Sequence, residues 1–391
     1  MRKLPLKLEK SLNARKEQNA LRKLGVEKDL VDFSSNDYLG FATSLRIFEQ
    51  AHQLLRDKNL LKNGSGGSRL LSGNYPLYEL AEENIAAFHS SEAALIFNSG
   101  YDANLGFFGS VPRRGDVILY DELCHASIRD GINLSRAKAY KFRHNDLEDL
   151  KEKLDRHKKA FSGEFYIATE AIFSMDGDAP DLKSLAEVSS SRDAFLVLDE
   201  AHSTGVTGKA GKGPVEELKI QDKIFARIIT FGKALGTHGA VVLGNQALKN
   251  FLINFARSFI YTTALPPHSV AGILSAYKYL ENEALSEIEG LHKNISFFLS
   301  ELKKHNLEEL FIPSNSAIHC CIIPGNAEVK QLAERLKEKG FDVKPILSPT
   351  VPKGEERLRF CLHSYNTSEE IQTVLSLLSE EIRMLKKARN E

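Results

Sequence analysis

Short apolar runs alternate with helical periods along most of the chain. Runs at residues 93–98 (AALIFN), 116–120 (DVILY), 165–169 (FYIAT), 195–198 (FLVL) and 227–229 (RII) each break off into polar residues. A continuous apolar run of this length reads as a strand buried on both faces, the habit of parallel sheets. Further strands are expected at 31–33 and 138–144. Between the runs the period changes. Residues 77–89 (LYELAEENIAAFH) place apolar side chains at i, i+3 and i+4. Asn145-Asp146 caps the helical stretch LEDLKEKLDRH, and Pro180-Asp181-Leu182 opens another helix. Strands alternating with helices predict a mostly parallel α/β sheet.

The character changes after residue 268. Helical stretches at 270–282, 284–305 and 327–339 surround short strands at 318–323, 342–346 and 357–362, which predicts an α+β domain of ordinary size. At the other end, residues 1–24 read as a helix. Leu4, Leu8, Leu12, Leu21 and Leu24 form an incomplete apolar stripe among charged positions. The expected organisation is an N-terminal helix and strand segment (1–40), a large domain (41–268) and a small C-terminal α+β domain (269–391).

Composition narrows the class. The 391 residues carry 52 basic and 52 acidic side chains, so the formal net charge is zero and no nucleic-acid partner is expected. No apolar run approaches the ~20 residues of a membrane span, and the charged N-terminus has no apolar signal core. Cys124, Cys320, Cys321 and Cys361 show no metal-binding or disulfide spacing. A reducing cytoplasm is the expected location, and no metal site is expected.

Candidate chemistry collects where the strands end. In open parallel sheets, ligands lie beyond the carboxyl ends of the strands. Asp199 and His202 follow one apolar run in DEAHS, and Lys233 follows another in TFGKALG. His125 follows a third in DELCHAS. A Lys and an Asp at neighbouring strand ends suit pyridoxal phosphate. The cofactor is held as a Schiff base on a lysine, and an acid keeps its ring nitrogen protonated. Ser99-Gly100-Tyr101 stands between a strand and a helix, where unpaired backbone N–H groups suit a phosphate. The stretch 63–73 (NGSGGSRLLSG) lacks the GK[ST] of a P-loop. It reads as a mobile or tightly turning loop near a ligand or a second subunit. Residues 208–213 (GKAGKG) read as a flexible surface loop.

The order and spacing of FSSNDYLG, GSGGSRLLSG, FNSGYDAN, DELCHAS, RHND, TEAIFSMDGD, DEAHSTGVTGKAGKG, TFGKALG, IYTTALPP, SPTVPKG and RLRFCLHS resemble the α-oxoamine synthase family. These are fold-type I pyridoxal-phosphate enzymes, with an aspartate aminotransferase-like fold. The resemblance runs from about Leu21 to about Leu378. It implies an acyltransferase with pyridoxal 5'-phosphate as cofactor and a homodimer with active sites at its interface. It implies Lys233 as the Schiff-base lysine, Asp199 as partner of the ring nitrogen, His202 near the phenolic oxygen and His125 stacked on the ring. Gly100, Tyr101 and Thr230 would hold the phosphate. Ser174 would lie near the cofactor, and Thr262 or Thr263 would reach the phosphate of the other subunit's cofactor.

For substrates, the resemblance implies Asn36 and Arg359 at the amino-acid carboxylate and Arg22 and Thr350 at the acyl substrate. The reaction it points to is a decarboxylating condensation of L-alanine with a pimeloyl thioester, on coenzyme A or a carrier protein, in biotin biosynthesis. Relatives pairing glycine with an acetyl thioester, or using serine, share the chemistry. IYTTALPP and SPTVPKG favour the alanine enzyme. Leu347 departs from the pattern, since some members carry Arg there.

Overall fold

The computed structural model describes residues 3–22, 24–25 and 29–390. Two compact units divide the chain. The larger comprises Asn36–Ser174 and Ala179–Glu289. The smaller comprises residues up to Ser35, the segment Met175–Asp178 and residues from Gly290 on. It includes the short strand β1 (Val31–Asp32).

The larger unit is built on seven strands: β2 (Ala93–Phe97), β3 (Val117–Asp121), β4 (Lys138–Phe142), β5 (Phe165–Glu170), β6 (Phe195–Asp199), β7 (Ala226–Thr230) and β8 (Ala240–Gly244). Their order is β2-β8-β7-β6-β5-β3-β4. β8 is antiparallel to both of its neighbours, and the other pairings are parallel. β8 follows β7 after a short connection, with no crossover helix to bring it round parallel. The apolar run of β8 was not among the expected strands.

Cores on both faces explain the unbroken apolar runs. Val197 packs in one cluster with Phe107, Phe108, Ile128, Ile228 and Val242. Its neighbours Leu196 and Leu198 pack in the other, with Leu119, Leu150, Ile167 and Val215. Successive side chains of a strand point to opposite faces, so a strand covered on both sides must be apolar at every position. The helix Pro267–Asn282 packs on the helices Leu45–Asp57 and Pro76–Phe88 within this unit. The expected boundary at 268/269 falls inside its first turn.

The smaller unit holds β9 (Ile318–Ile322), β10 (Phe341–Asp342), β11 (Lys344–Ile346) and β12 (Arg357–Cys361). β12 lies between β11 and β9 in an antiparallel sheet, and β10 pairs in parallel with β1. The single strand expected over 342–346 is therefore two pieces with different partners. Pro345, which has no N–H to give, stands on the edge strand. Phe33 packs against Phe341 and Phe360. Met175–Asp178 joins this unit through Gly177, whose φ is +81° and whose carbonyl accepts hydroxyl protons from Ser314 and Ser316 at 2.8 Å each. A Cβ on Gly177 would overlap the carbonyl of Ile318.

Other expectations shift. The N-terminal helix spans only Leu6–Glu17 and buries no side chain, so its leucine stripe is exposed. Residues 1, 2 and 23 of the expected helix lie outside the described residues. The GKAGKG stretch is a packed turn instead of a loose loop. Gly211 is buried, Gly205 N–H donates to its carbonyl at 2.8 Å, and Gly213 N–H donates to Thr207 O at 2.9 Å. All four cysteines are free and buried. Among the described residues, no helix is long and apolar enough to cross a membrane.

Candidate active site

A cavity of about 240 Å³ opens at the carboxyl ends of the parallel strands in the larger unit. Its lining includes Asn36, Gly100, Tyr101, His125, Asp199, His202, Thr230 and Lys233. The topology explains the convergence. β5, β6 and β7 are consecutive parallel neighbours, so their C-terminal ends emerge side by side.

Asp199 closes β6 and is 5% exposed. Its Oδ1 accepts the Ala201 N–H at 2.9 Å, and its Oδ2 accepts from Asn104 Nδ2 at 2.9 Å. Lys233 lies three residues past β7, with Nζ 3.3 Å from Thr230 Oγ1. His202 Nδ1 is 2.7 Å from Tyr38 Oη, and the Tyr38 hydroxyl also contacts Asn36 Oδ1 at 3.1 Å. The buried Tyr38 thus ties the NDYLG turn to the DEAH segment.

His125 is the N-cap of the helix Ala126–Leu134. Its Nδ1 accepts the Ser127 N–H at 3.2 Å and lies 2.8 Å from Ser127 Oγ. Its own N–H donates to Glu170 Oε1 at 2.6 Å. Loss of hydration is the largest influence on the imidazole and holds its pKa below the usual value; Asp199 pulls the other way and Lys233 adds to the lowering. Burial, reinforced by Asp199, pushes Glu170 well above the usual carboxylate range.

The helix Gly100–Phe108 starts at the cavity, capped by Ser99, whose Oγ accepts the Asp102 N–H at 3.1 Å. The first N–H groups of a helix lack intrahelical partners. A Cβ on Gly100 would overlap Thr230 Cγ2, so glycine is needed for the helix end to lie against β7. N–H groups at a helix start, a hydroxyl, an amine and a buried carboxylate in one cavity match the donor and acceptor set of pyridoxal phosphate.

The other expected site residues stand elsewhere. Ser174 is not among the cavity-lining residues. Asn98 Nδ2 donates to Thr262 Oγ1 at 3.1 Å and to Thr263 O at 2.7 Å. The glycine-rich loop is clasped to the same segment: Ser65 Oγ donates to Ala264 O at 2.9 Å, and Ala264 N–H to Gly67 O at 2.9 Å. Of the two expectations for that loop, the tight turn is the one observed. In the smaller unit, exposed Arg22 donates to Thr350 Oγ1 at 3.2 Å. Arg359 is 6% exposed, and its Nη1 donates to Cys361 Sγ at 2.9 Å.

Sequence reasoning assigned no role to Glu170, Asn104, Ser127, His238 or Gly239, which also line the cavity. Asn104 and Ser127 lie inside the motifs FNSGYDAN and CHAS, but nothing in the sequence shows that the helices Gly100–Phe108 and Ala126–Leu134 bring them together.

The chain is similar to known proteins over nearly its whole length. The family model "Aminotransferase class I and II" matches residues 28–378. An 8-amino-7-oxononanoate synthase from Emericella nidulans is 39% identical over 97% of this chain and 96% of its own. A solved 8-amino-7-oxononanoate synthase from Francisella tularensis is 31% identical, with a TM-score of 0.77 over 92% of this chain and all of that one. A serine palmitoyltransferase from S. paucimobilis, solved with pyridoxal phosphate and myriocin bound, is 26% identical, with a TM-score of 0.87 over 97% and 98% of the two chains. The cofactor is pyridoxal 5'-phosphate, and the protein is an acyl-transferring enzyme. The chain belongs to the aminotransferase class I and II family, among its α-oxoamine synthases, and is similar to the 8-amino-7-oxononanoate synthases of biotin biosynthesis.

Proposed function

We propose that the enzyme condenses L-alanine with a pimeloyl thioester, on coenzyme A or a carrier protein, releasing the thiol and CO2 and giving 8-amino-7-oxononanoate. The observation that carries this reading is the meeting of Lys233, Asp199 and His125 in one cavity, in a chain 39% identical to an enzyme of that name. When bound, pyridoxal phosphate supplies an electron sink for the carbanion at the amino acid's α carbon.

The chain's own groups do the rest. Lys233 Nζ would hold the cofactor and would act as the base that takes the α-proton of the amino acid. Asp199 keeps the ring nitrogen protonated. His125 would cover the ring face and assist proton delivery, and its lowered pKa suits an uncharged imidazole. His202 and Ser174 bond the phenolic oxygen. Gly100, Tyr101 and Thr230 hold the phosphate, with Thr262 or Thr263 reaching it from a second copy. This makes the working form a homodimer, with Gly64–Gly73 at the two-fold interface. Asn36 and Arg359 take the amino-acid carboxylate, for which a guanidinium is the natural bidentate partner. Arg22 and Thr350 take the acyl chain's far carboxylate. The cytoplasm is the expected site of action.

A panel of small amino acids against acyl thioesters tests the assignment. The reading predicts the highest kcat/KM for L-alanine with pimeloyl thioester. A preference for glycine with acetyl thioester, or for serine with a long acyl chain, would overturn it.

A further inference from the structure

One amide in the cavity wall touches two of the groups assigned above. Asn104 is 2% exposed and lies one turn into the helix Gly100–Phe108. Its Nδ2 donates to Asp199 Oδ2 at 2.9 Å and to Ser127 Oγ at 3.0 Å. An amide nitrogen carries two hydrogens, so both are used. Ser127 Oγ accepts from Asn104 and keeps its own proton to give, and because the Ser127 backbone N–H can only donate to His125 Nδ1, the hydroxyl 2.8 Å from that nitrogen donates to it as well. Two donors converging on Nδ1 make it an acceptor, and the ring proton then belongs on Nε2.

The amide's orientation is not arbitrary. Turned over, its oxygen would face the Asp199 carboxylate, acceptor against acceptor. In the orientation observed, Asn104 Oδ1 is buried with no hydrogen-bond partner among the described residues. A buried acceptor without a partner costs stability that an apolar side chain would not. The amide is therefore retained for its two donors.

We propose that Asn104 is a positioning residue: it orients the Asp199 carboxylate and, through Ser127, fixes His125 in the tautomer protonated at Nε2. The relay joins Asp199, which would partner the ring nitrogen, to His125, which would cover the ring face. A single substitution at Asn104 thus disturbs both. This rests on the roles given to Asp199 and His125 in the proposed function.

The test is ¹⁵N NMR of histidine-labelled protein, with and without pyridoxal phosphate, His125 being assigned with His125→Gln. The expected wild-type pattern is an unprotonated Nδ1 and a protonated Nε2, present before cofactor is added. In Asn104→Ala and in the volume-conserving Asn104→Leu, the two ring-nitrogen shifts should move towards each other. Ser127→Ala should move them the same way but less, since its backbone N–H remains. Turnover in the Asn104 variants should fall about tenfold or more, the scale of a displaced acid–base group, with KM for L-alanine changing less than kcat. A protonated Nδ1 in the wild type would overturn the proposal, as would wild-type shifts in every folded variant. Failure of the wild-type protein to bind pyridoxal phosphate would count against the proposed function, not against the tautomer, which is read from the cofactor-free protein.

Discussion

Glu170 and Asp199 are register partners at the ends of adjacent parallel strands, and both are almost fully buried. Two carboxylates so placed resist being ionised together. Asp199 receives two N–H donors, whereas the Glu170 bond recorded is the His125 N–H at Oε1. Burial and the neighbouring Asp199 raise the Glu170 pKa well above the ordinary value, which favours the neutral carboxyl. In its neutral form it braces the backbone of His125 without adding a second negative charge to the site.

Glu170→Gln should therefore be tolerated, because the amide keeps a neutral carbonyl to accept the His125 N–H. Cofactor affinity should stay within about threefold of wild type. Glu170→Ala leaves that partly buried N–H unpaired and should cost about 1 kcal/mol of stability, with weaker cofactor binding. Urea unfolding and cofactor titration of both variants check this. Equal losses in the two would mean that the native carboxyl is charged.

Asp199→Ala should keep the fold but weaken the electron sink, reducing kcat by several powers of ten at about 1.4 kcal/mol each. Steady-state kinetics at full cofactor occupancy provide the check. Near wild-type turnover would remove Asp199 from the ring nitrogen.

Arg22 and Thr350 are far apart in sequence yet share a hydrogen bond within the smaller unit. If they read the pimeloyl carboxylate, Arg22→Ala should raise KM for pimeloyl thioester roughly tenfold, the scale of a lost charge-assisted bond. A thioester of equal length ending in a methyl group should be almost unaffected. With Leu347 in place of a second cation, Arg22 would bear more of this recognition. Equal effects on the two thioesters, or none, would contradict the role.

His319 offers a stability test away from the cavity. Its ring is fully buried beside Phe298, its Nε2 has no partner among the described residues, and burial lowers its pKa from 6.5 to about 4. The unfolded chain takes up this proton first as pH falls. Proton uptake therefore costs nothing above pH 6.5, and stability is lost progressively between 6.5 and about 4, by up to about 3 kcal/mol. His319→Leu should lose less stability than wild type over that interval, measured by urea unfolding at several pH values. Parallel pH dependence in the two proteins would rule this out.

Much of the fold was legible because burial on both sheet faces leaves a mark in the sequence. Val197 and its neighbours Leu196 and Leu198 had to be apolar in either direction. The polar residues ending those runs located His125, Asp199 and Lys233. What stayed hidden depends on pairing. Residues 342–346 read as one strand because their pattern does not reveal that β10 and β11 have different partners. Asn104 and Glu170 escaped because a buried polar residue shows its purpose only when its partners are in place. The GKAGKG stretch looked loose by composition, although its positive-φ glycines serve a tight, packed turn.

The most direct test of the account is the site of cofactor attachment. The purified holoenzyme, which should be yellow, is reduced with borohydride, digested and mapped by mass spectrometry. The account predicts a single phosphopyridoxyl group on Lys233, absent from a Lys233→Ala variant that folds normally. A label on any other lysine, or an unlabelled Lys233 in fully reduced protein, would contradict it.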